Sequence, residues 1–255
     1  MAIITFLSDY GMSDHYVAAV KARILSTNSG INIIDISHQV RPCNIAEAAY
    51  VLQSVYKDFP EGTVNLISIG DSDTKDLKHI AVKIEERYFI CADNGLLGLV
   101  TDSTSYTVVD INADKLTTTF PGKDILAPAA ANLANGADIT DLGKPMETFQ
   151  MMLGRRLRAS KQQIIGNVIH TDPYGNLITN IDKATFDQLC QGRQFHITFG
   201  REKAQRIHEN YYNVEPGDCF LIFNSQNLLE IGIKQGNARR LLGLSYDANI
   251  IINFV

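Results

Sequence analysis

The chain has 255 residues, 45% of them hydrophobic, and a formal net charge of −5. It can bury a core in one large or two small domains, and its acidic balance argues against general binding to nucleic acid or a membrane surface. No stretch approaches the ~18 apolar residues of a membrane span, and the N-terminus opens on a strand pattern without a basic-then-apolar leader, so a cytoplasmic protein is expected.

The first element is an apolar run that stops abruptly at Ser8-Asp9-Tyr10-Gly11. It reads as a buried strand with a carboxylate at its carboxyl end, the edge where open α/β sheets bind ligands. Asp9 can accept two hydrogen bonds there, as a ribose diol offers. A helical pattern follows from Asp14, which is expected to cap it. Short β-branched runs at residues 31–36, 63–69, 79–84, 88–91 and 106–111 predict further strands. Between them, Asn44 predicts the cap of a helix carrying Ile45, Ala48, Ala49, Leu52 and Val55 near the helical period. Residues 123–135 are Ala-rich and read as a helix ending at Gly136. The alternation predicts an α/β N-terminal domain over residues 1–150, with a mostly parallel sheet and helices on both faces.

Residues 151–163 are mixed and basic and read as a linker. Their Arg155-Arg156-Leu157-Arg158 run reads as a solvated face rather than a phosphate site. From 164 to 255, short runs bounded by turns predict a smaller all-β barrel or sandwich. The four cysteines are scattered with no C-x-x-C pair, so no zinc site is expected. Asp71 and Asp73 could ligate magnesium or form an acid–base pair, but no third carboxylate accompanies them and a solvated turn is the simpler reading. No phosphate-cradling or dinucleotide glycine motif occurs.

Four polar segments sit at strand ends: Ser8-Asp9-Tyr10-Gly11, Gly70-Asp71-Ser72-Asp73, Phe120-Pro121-Gly122-Lys123-Asp124 and Asp172-Pro173-Tyr174-Gly175-Asn176. In Phe6-Leu7-Ser8-Asp9-Tyr10-Gly11, Ala92-Asp93-Asn94-Gly95-Leu96-Leu97, Phe120-Pro121-Gly122-Lys123-Asp124-Ile125-Leu126-Ala127-Pro128-Ala129-Ala130 and Asp172-Pro173-Tyr174-Gly175-Asn176-Leu177-Ile178-Thr179-Asn180-Ile181, the chain resembles the S-adenosylmethionine hydroxide adenosyltransferases. That family also contains the fluorinases and chlorinases. The resemblance runs in order through nearly the whole chain. It implies a homotrimer that holds S-adenosylmethionine between the N-terminal domain of one subunit and the C-terminal domain of the next. It implies no metal and no cofactor beside the substrate. The reaction would be attack of water on ribose C5′, giving adenosine and methionine.

By the same resemblance, Asp9 would hold the ribose hydroxyls and Tyr174 would stack on adenine, with Asn176 bonding near the base or the amino-acid end. Asp172 and Ser225 would lie near the methionine carboxylate and ammonium or the adenine edge. Asp14 would reach the amino group, and Phe120 belongs to the same substrate-binding set. The catalytic positions depart from the family. Hydrolytic members carry an Asp, an Arg and a His; here Gly70 or Asp71 holds the Asp place, Lys78 the Arg place and Pro121 the His place, with Lys123 for the following Arg. An aromatic of the halogenating members is replaced by Cys43. The candidate catalytic set is therefore Asp71, Lys78, Lys123 and His79, with Asp73 as another acid near the water. The expected activity is S-adenosylmethionine hydrolysis. The alternatives are a non-catalytic or very slow trimer that binds S-adenosylmethionine or adenosine, and attack on C5′ by another anion held by the lysines.

Overall fold

The structure, a computed structural model, describes residues 3–255 except 73, 75 and 115. The chain divides into two compact units, Met1–Leu153 and Gly154–Val255.

The N-terminal unit is built on strands β1 (Ile3–Ser8), β2 (Asn32–Ser37), β3 (Val64–Ser68), β4 (His79–Ile84), β5 (Arg87–Ala92), β6 (Tyr106–Asp110) and β7 (Lys144–Met146). They form one seven-stranded sheet in the order β2-β1-β3-β5-β4-β6-β7. The pairs β2–β1, β1–β3 and β3–β5 are parallel, while β4 and β7 run against the other strands. This is the expected mostly parallel sheet, with antiparallel pairing in the half beyond β5.

Helices cover both faces. On one face lie α1 (Tyr16–Thr27) and α4 (Ala127–Ala134), and on the other α2 (Ile45–Gln53) and α3 (Leu96–Val100). α1 buries Val17, Val20 and Ile24, a stripe at helical spacing, against Ile4 and Phe6 of β1. The alanines of α4 are small enough to let that helix lie close over the same strands. Fully burying side chains such as Ile4 and Phe6 stabilises by about 1.5–3 kcal/mol each, which anchors the segment that follows β1. α2 starts as expected, with the Asn44 side chain accepting the Glu47 N–H at 3.1 Å.

The start of α1 differs from expectation. Asp14 accepts the N–H of His15, the next residue, at 2.6 Å, and no side chain caps the helix. Its carboxylate sits one residue too early to reach the second or third N–H inside the helix. The Ala-rich helix also opens differently, through a wide π-type turn over Gly122–Leu126.

The C-terminal unit is an antiparallel sheet. It comprises β8 (Arg158–Ala159), β9 (Gln163–Thr171), β10 (Leu177–Asp182), β11 (Phe195–Phe199), β12 (Glu202–Ala204), β13 (Cys219–Phe223), β14 (Leu228–Ile233) and β15 (Asn249–Phe254). The order is β12-β11-β15-β9-β10-β14-β13, with β8 beside β9. One core draws from nearly every strand, including Ile164, Ile181, Ile197, Leu221, Ile231 and Ile252, so the sheet curls around it. The strand pattern left out α5 (Lys183–Cys190), which Asp182 caps by accepting the Thr185 N–H at 2.7 Å. Phe186 and Cys190 give that helix its buried face.

Candidate functional site

Because β2, β1 and β3 run parallel, their carboxyl ends share one edge of the sheet. Asp9 follows β1 there, and its Oδ2 accepts the N–H of Cys43 at 2.8 Å. Cys43 holds a left-handed backbone (φ 57°), an uncommon conformation for a residue with a side chain. The segment carrying Asp9 is pinned from beneath. Ser8 is buried and its Oγ lies 2.7 Å from His38 Nδ1, while the Gly11 N–H donates to the His38 carbonyl at 2.7 Å. His38 Nε2 lies 3.1 Å from Asp35 Oδ1.

Two further expected segments meet Asp9's segment. The Tyr10 hydroxyl lies 2.5 Å from Ser68 Oγ and donates to Asp71 Oδ2 at 3.3 Å, and Ser68 donates to the same oxygen. The Tyr10 ring packs edge-on against Phe120 at 5.5 Å, and Phe120 against Tyr16 at 5.4 Å. Gly122 is required at this junction, because a Cβ would collide with the Tyr10 hydroxyl and Ser68.

Asp71 is only 8% exposed. Burial pushes its carboxyl up to about 7; the Ser68 hydrogen bond opposes the rise and the Asp9 charge adds to it. Its Oδ1 has no hydrogen-bond partner among the described residues. Asp71, Lys78, His79, Asp110 and Pro121 line a cavity of about 590 Å³. His79 Nε2–H donates to the Asp71 carbonyl at 3.0 Å, which leaves Nδ1 as the unprotonated nitrogen. Burial holds the His79 imidazole below its ordinary range, so it is neutral.

Three of the four residues expected for catalysis therefore share one cavity. Lys123 does not line it. It faces a neighbouring space of about 410 Å³ with Arg23 and Asp124, its Nζ 3.7 Å from Asp124. Asp14 is exposed and bonded to His15. Asp73 lies outside the described residues. No cluster of three or more His, Cys, Asp or Glu side chains among the described residues is arranged to hold a metal ion.

The C-terminal unit carries the fourth segment as a tight turn between β9 and β10. Asp172 Oδ1 accepts the Asn176 N–H at 2.8 Å, and Gly175 supplies the left-handed residue (φ 88°). Tyr174 stands at the tip, 79% exposed. Asp172, Tyr174 and Asn176 line a cavity of about 650 Å³ with Tyr211, Phe220 and Gln235. Ser225 is exposed on the β13–β14 turn and is not among the residues that line this cavity.

Beneath the cavity lies Glu230, which sequence reasoning missed. It is buried, and its carboxylate accepts from Asn176 Nδ2 (3.1 Å), Tyr211 Oη (3.2 Å) and Asn224 Nδ2 (3.2 Å). Burial pushes the Glu230 carboxyl above its ordinary range, against the pull of those donors. The signal was present in the sequence: a carboxylate inside the apolar strand Leu228-Leu229-Glu230-Ile231 needs partners.

An α/β unit with an acidic strand edge, joined in sequence to an antiparallel unit with an aromatic cavity, is a two-domain layout shared with known proteins. Residues 4–143 match the SAM hydroxide adenosyltransferase N-terminal domain and residues 166–251 the C-terminal domain. The chain belongs to that family. A solved structure of an uncharacterized conserved protein from Thermotoga maritima is similar, with a TM-score of 0.89 and 30% identity, covering 98% of this chain and 99% of that one. An (R)-S-adenosyl-L-methionine hydrolase from Methanocaldococcus jannaschii is 30% identical over 96% of this chain and 93% of its own length. A fluorinase from an Actinoplanes species is 25% identical, covering 76% of each.

Proposed function

We propose that the chain hydrolyses S-adenosylmethionine at ribose C5′, giving adenosine and methionine. The observation that carries this reading is the C-terminal cavity, where an exposed tyrosine ring stands beside a hydrogen-bonded asparagine amide, a platform suited to a purine. The aligned relatives named as (R)-S-adenosyl-L-methionine hydrolases support the substrate. In this reading Tyr174 stacks on the base, Asn176 hydrogen-bonds it, and Asp9 accepts from the ribose hydroxyls with Cys43 N–H fixing one of its oxygens.

The chemistry asks little of the protein. A sulfonium leaves as a neutral thioether, so binding both ends of the substrate and aligning water behind C5′ supply most of the catalysis. Asp71, near neutrality, is matched to accept a proton from that water at about pH 7. Lys78 would stabilise hydroxide electrostatically. His79 is a neutral second base in the same cavity. We propose that the assembly is a homotrimer in which the N-terminal half-site of one copy and the C-terminal half-site of a neighbour act on one substrate; light scattering at three chain masses would support it and a monomer would refute it.

Pro121 favours a second reading, a protein that binds S-adenosylmethionine or adenosine with little or no turnover. By the resemblance, proline takes the place of a histidine of the hydrolytic members, and it cannot accept a proton. Chromatography after incubation with each sulfur epimer of S-adenosylmethionine separates the readings. Adenosine above the buffer background supports hydrolysis. Calorimetric binding with no product supports the second reading, and no binding removes both.

A further inference from the structure

The Asn176 amide is held from one side. Its Nδ2 donates to Asp172 Oδ2 at 3.1 Å and to Glu230 Oε1 at 3.1 Å. A carboxylate only accepts, so both amide hydrogens are committed to the two acids. The flipped amide would set its carbonyl oxygen against both carboxylates and lose both bonds. Glu230 is itself held in place by Tyr211 and Asn224, both of them donors. The carbonyl oxygen Oδ1 is therefore the group that Asn176 has left to offer. It lies over Gly232, where a Cβ would meet both it and the Phe220 ring. Glycine at 232 leaves the room that this oxygen and the Phe220 ring fill, and Asn176, Phe220 and Tyr174 line the cavity beside them.

We infer that Glu230, together with Asp172, is a positioning residue that fixes Asn176 as a hydrogen-bond acceptor, and that this makes the cavity select a 6-aminopurine over a 6-oxopurine. A 6-amino group donates to Oδ1. A 6-oxo group brings a second acceptor to the same place and leaves Oδ1 unmet. A site built around a committed polar group rejects the ligand that cannot pair with it more strongly than an apolar site rejects a change of size. The inference rests on the purine reading of the cavity made above.

The test is calorimetry of the full chain with adenosine, inosine and purine riboside, which lacks any group at position 6. The wild type should bind adenosine roughly ten- to a hundredfold more tightly than inosine, the range expected for an unpaired buried polar group. The double variant Asp172→Asn, Glu230→Gln offers Asn176 two amides that can each donate or accept, so the asparagine can turn over. That variant should bind adenosine more weakly and inosine more tightly, bringing the two within about threefold. A wild type that binds adenosine and inosine equally overturns this inference alone. So does a double variant that keeps the full preference. If that variant does not fold, the wild type decides: purine riboside should bind at least about tenfold more weakly than adenosine, and equal affinity overturns the inference. Failure of all three nucleosides to bind overturns both this inference and the purine reading beneath it.

Discussion

Replacing Asp71 by asparagine should stabilise the protein and slow it at the same time. The wild-type carboxyl is buried and pushed up to about 7 from an ordinary 3.8. That gap corresponds to about 4 kcal/mol, at about 1.4 kcal/mol for each pH unit. Its sign follows from proton counting. Between about pH 4 and about pH 7 the native chain keeps a proton that the unfolded chain has released, so the stability contribution falls as pH rises through that window and is level above it. Asparagine has the same shape and no charge to bury. It can still accept from Ser68 and Tyr10, and its amide nitrogen takes the place of the unpartnered Oδ1. Relative to wild type, Asp71→Asn should be equally stable to within about 1 kcal/mol near pH 4 and more stable by up to about 4 kcal/mol above about pH 7. Urea unfolding followed by circular dichroism across that range reads the difference directly, the chain having no tryptophan to serve as a fluorescent probe. A variant whose stability relative to wild type does not change with pH would refute the account of a buried, reluctant carboxylate. Turnover should drop by ~10²–10⁴ in the same variant, the usual cost of losing a general base. Unchanged turnover would remove Asp71 from the mechanism.

Other perturbations separate binding from rate. Asp9→Ala should weaken adenosine binding by at least about tenfold, since each hydrogen bond to a charged group contributes about 1.5–3 kcal/mol; unchanged affinity in calorimetry would end the ribose assignment. Lys78→Ala should lower kcat more than it raises KM, and a variant with unaltered turnover would exclude its electrostatic role. Tyr10→Phe removes a donor that favours the ionised Asp71. The pH–rate profile should then move to higher pH, and an unmoved profile would show that Asp71 does not set it.

Much of the fold was legible because burial imposes a period. Runs rich in β-branched residues marked β1 to β6, and the stripe at Ala48, Ala49 and Leu52 marked α2. The short helix Lys183–Cys190 escaped because its two buried residues give a weak pattern amid strands. Asp14 resembled a cap because sequence position alone does not tell which N–H a carboxylate will reach. The site was legible in its parts and not in its wiring. Asp9, Tyr174 and Asn176 stood out at strand ends, but the hydrogen bonds from Tyr10 to Ser68 and Asp71 join residues about sixty positions apart. Only the parallel pairing of β1 with β3 brings them together. Glu230 was hidden by the opposite cause, lying inside a run that reads as core.

In the proposed reaction, water attacks ribose C5′ and expels methionine. Turnover of S-adenosylmethionine in water enriched in oxygen-18, with mass analysis of both products, tests it directly. Hydrolysis at C5′ puts one heavy oxygen in adenosine and none in methionine, and forms the two in equal amounts. Label in any other product, or no adenosine formed by the enzyme, would contradict it.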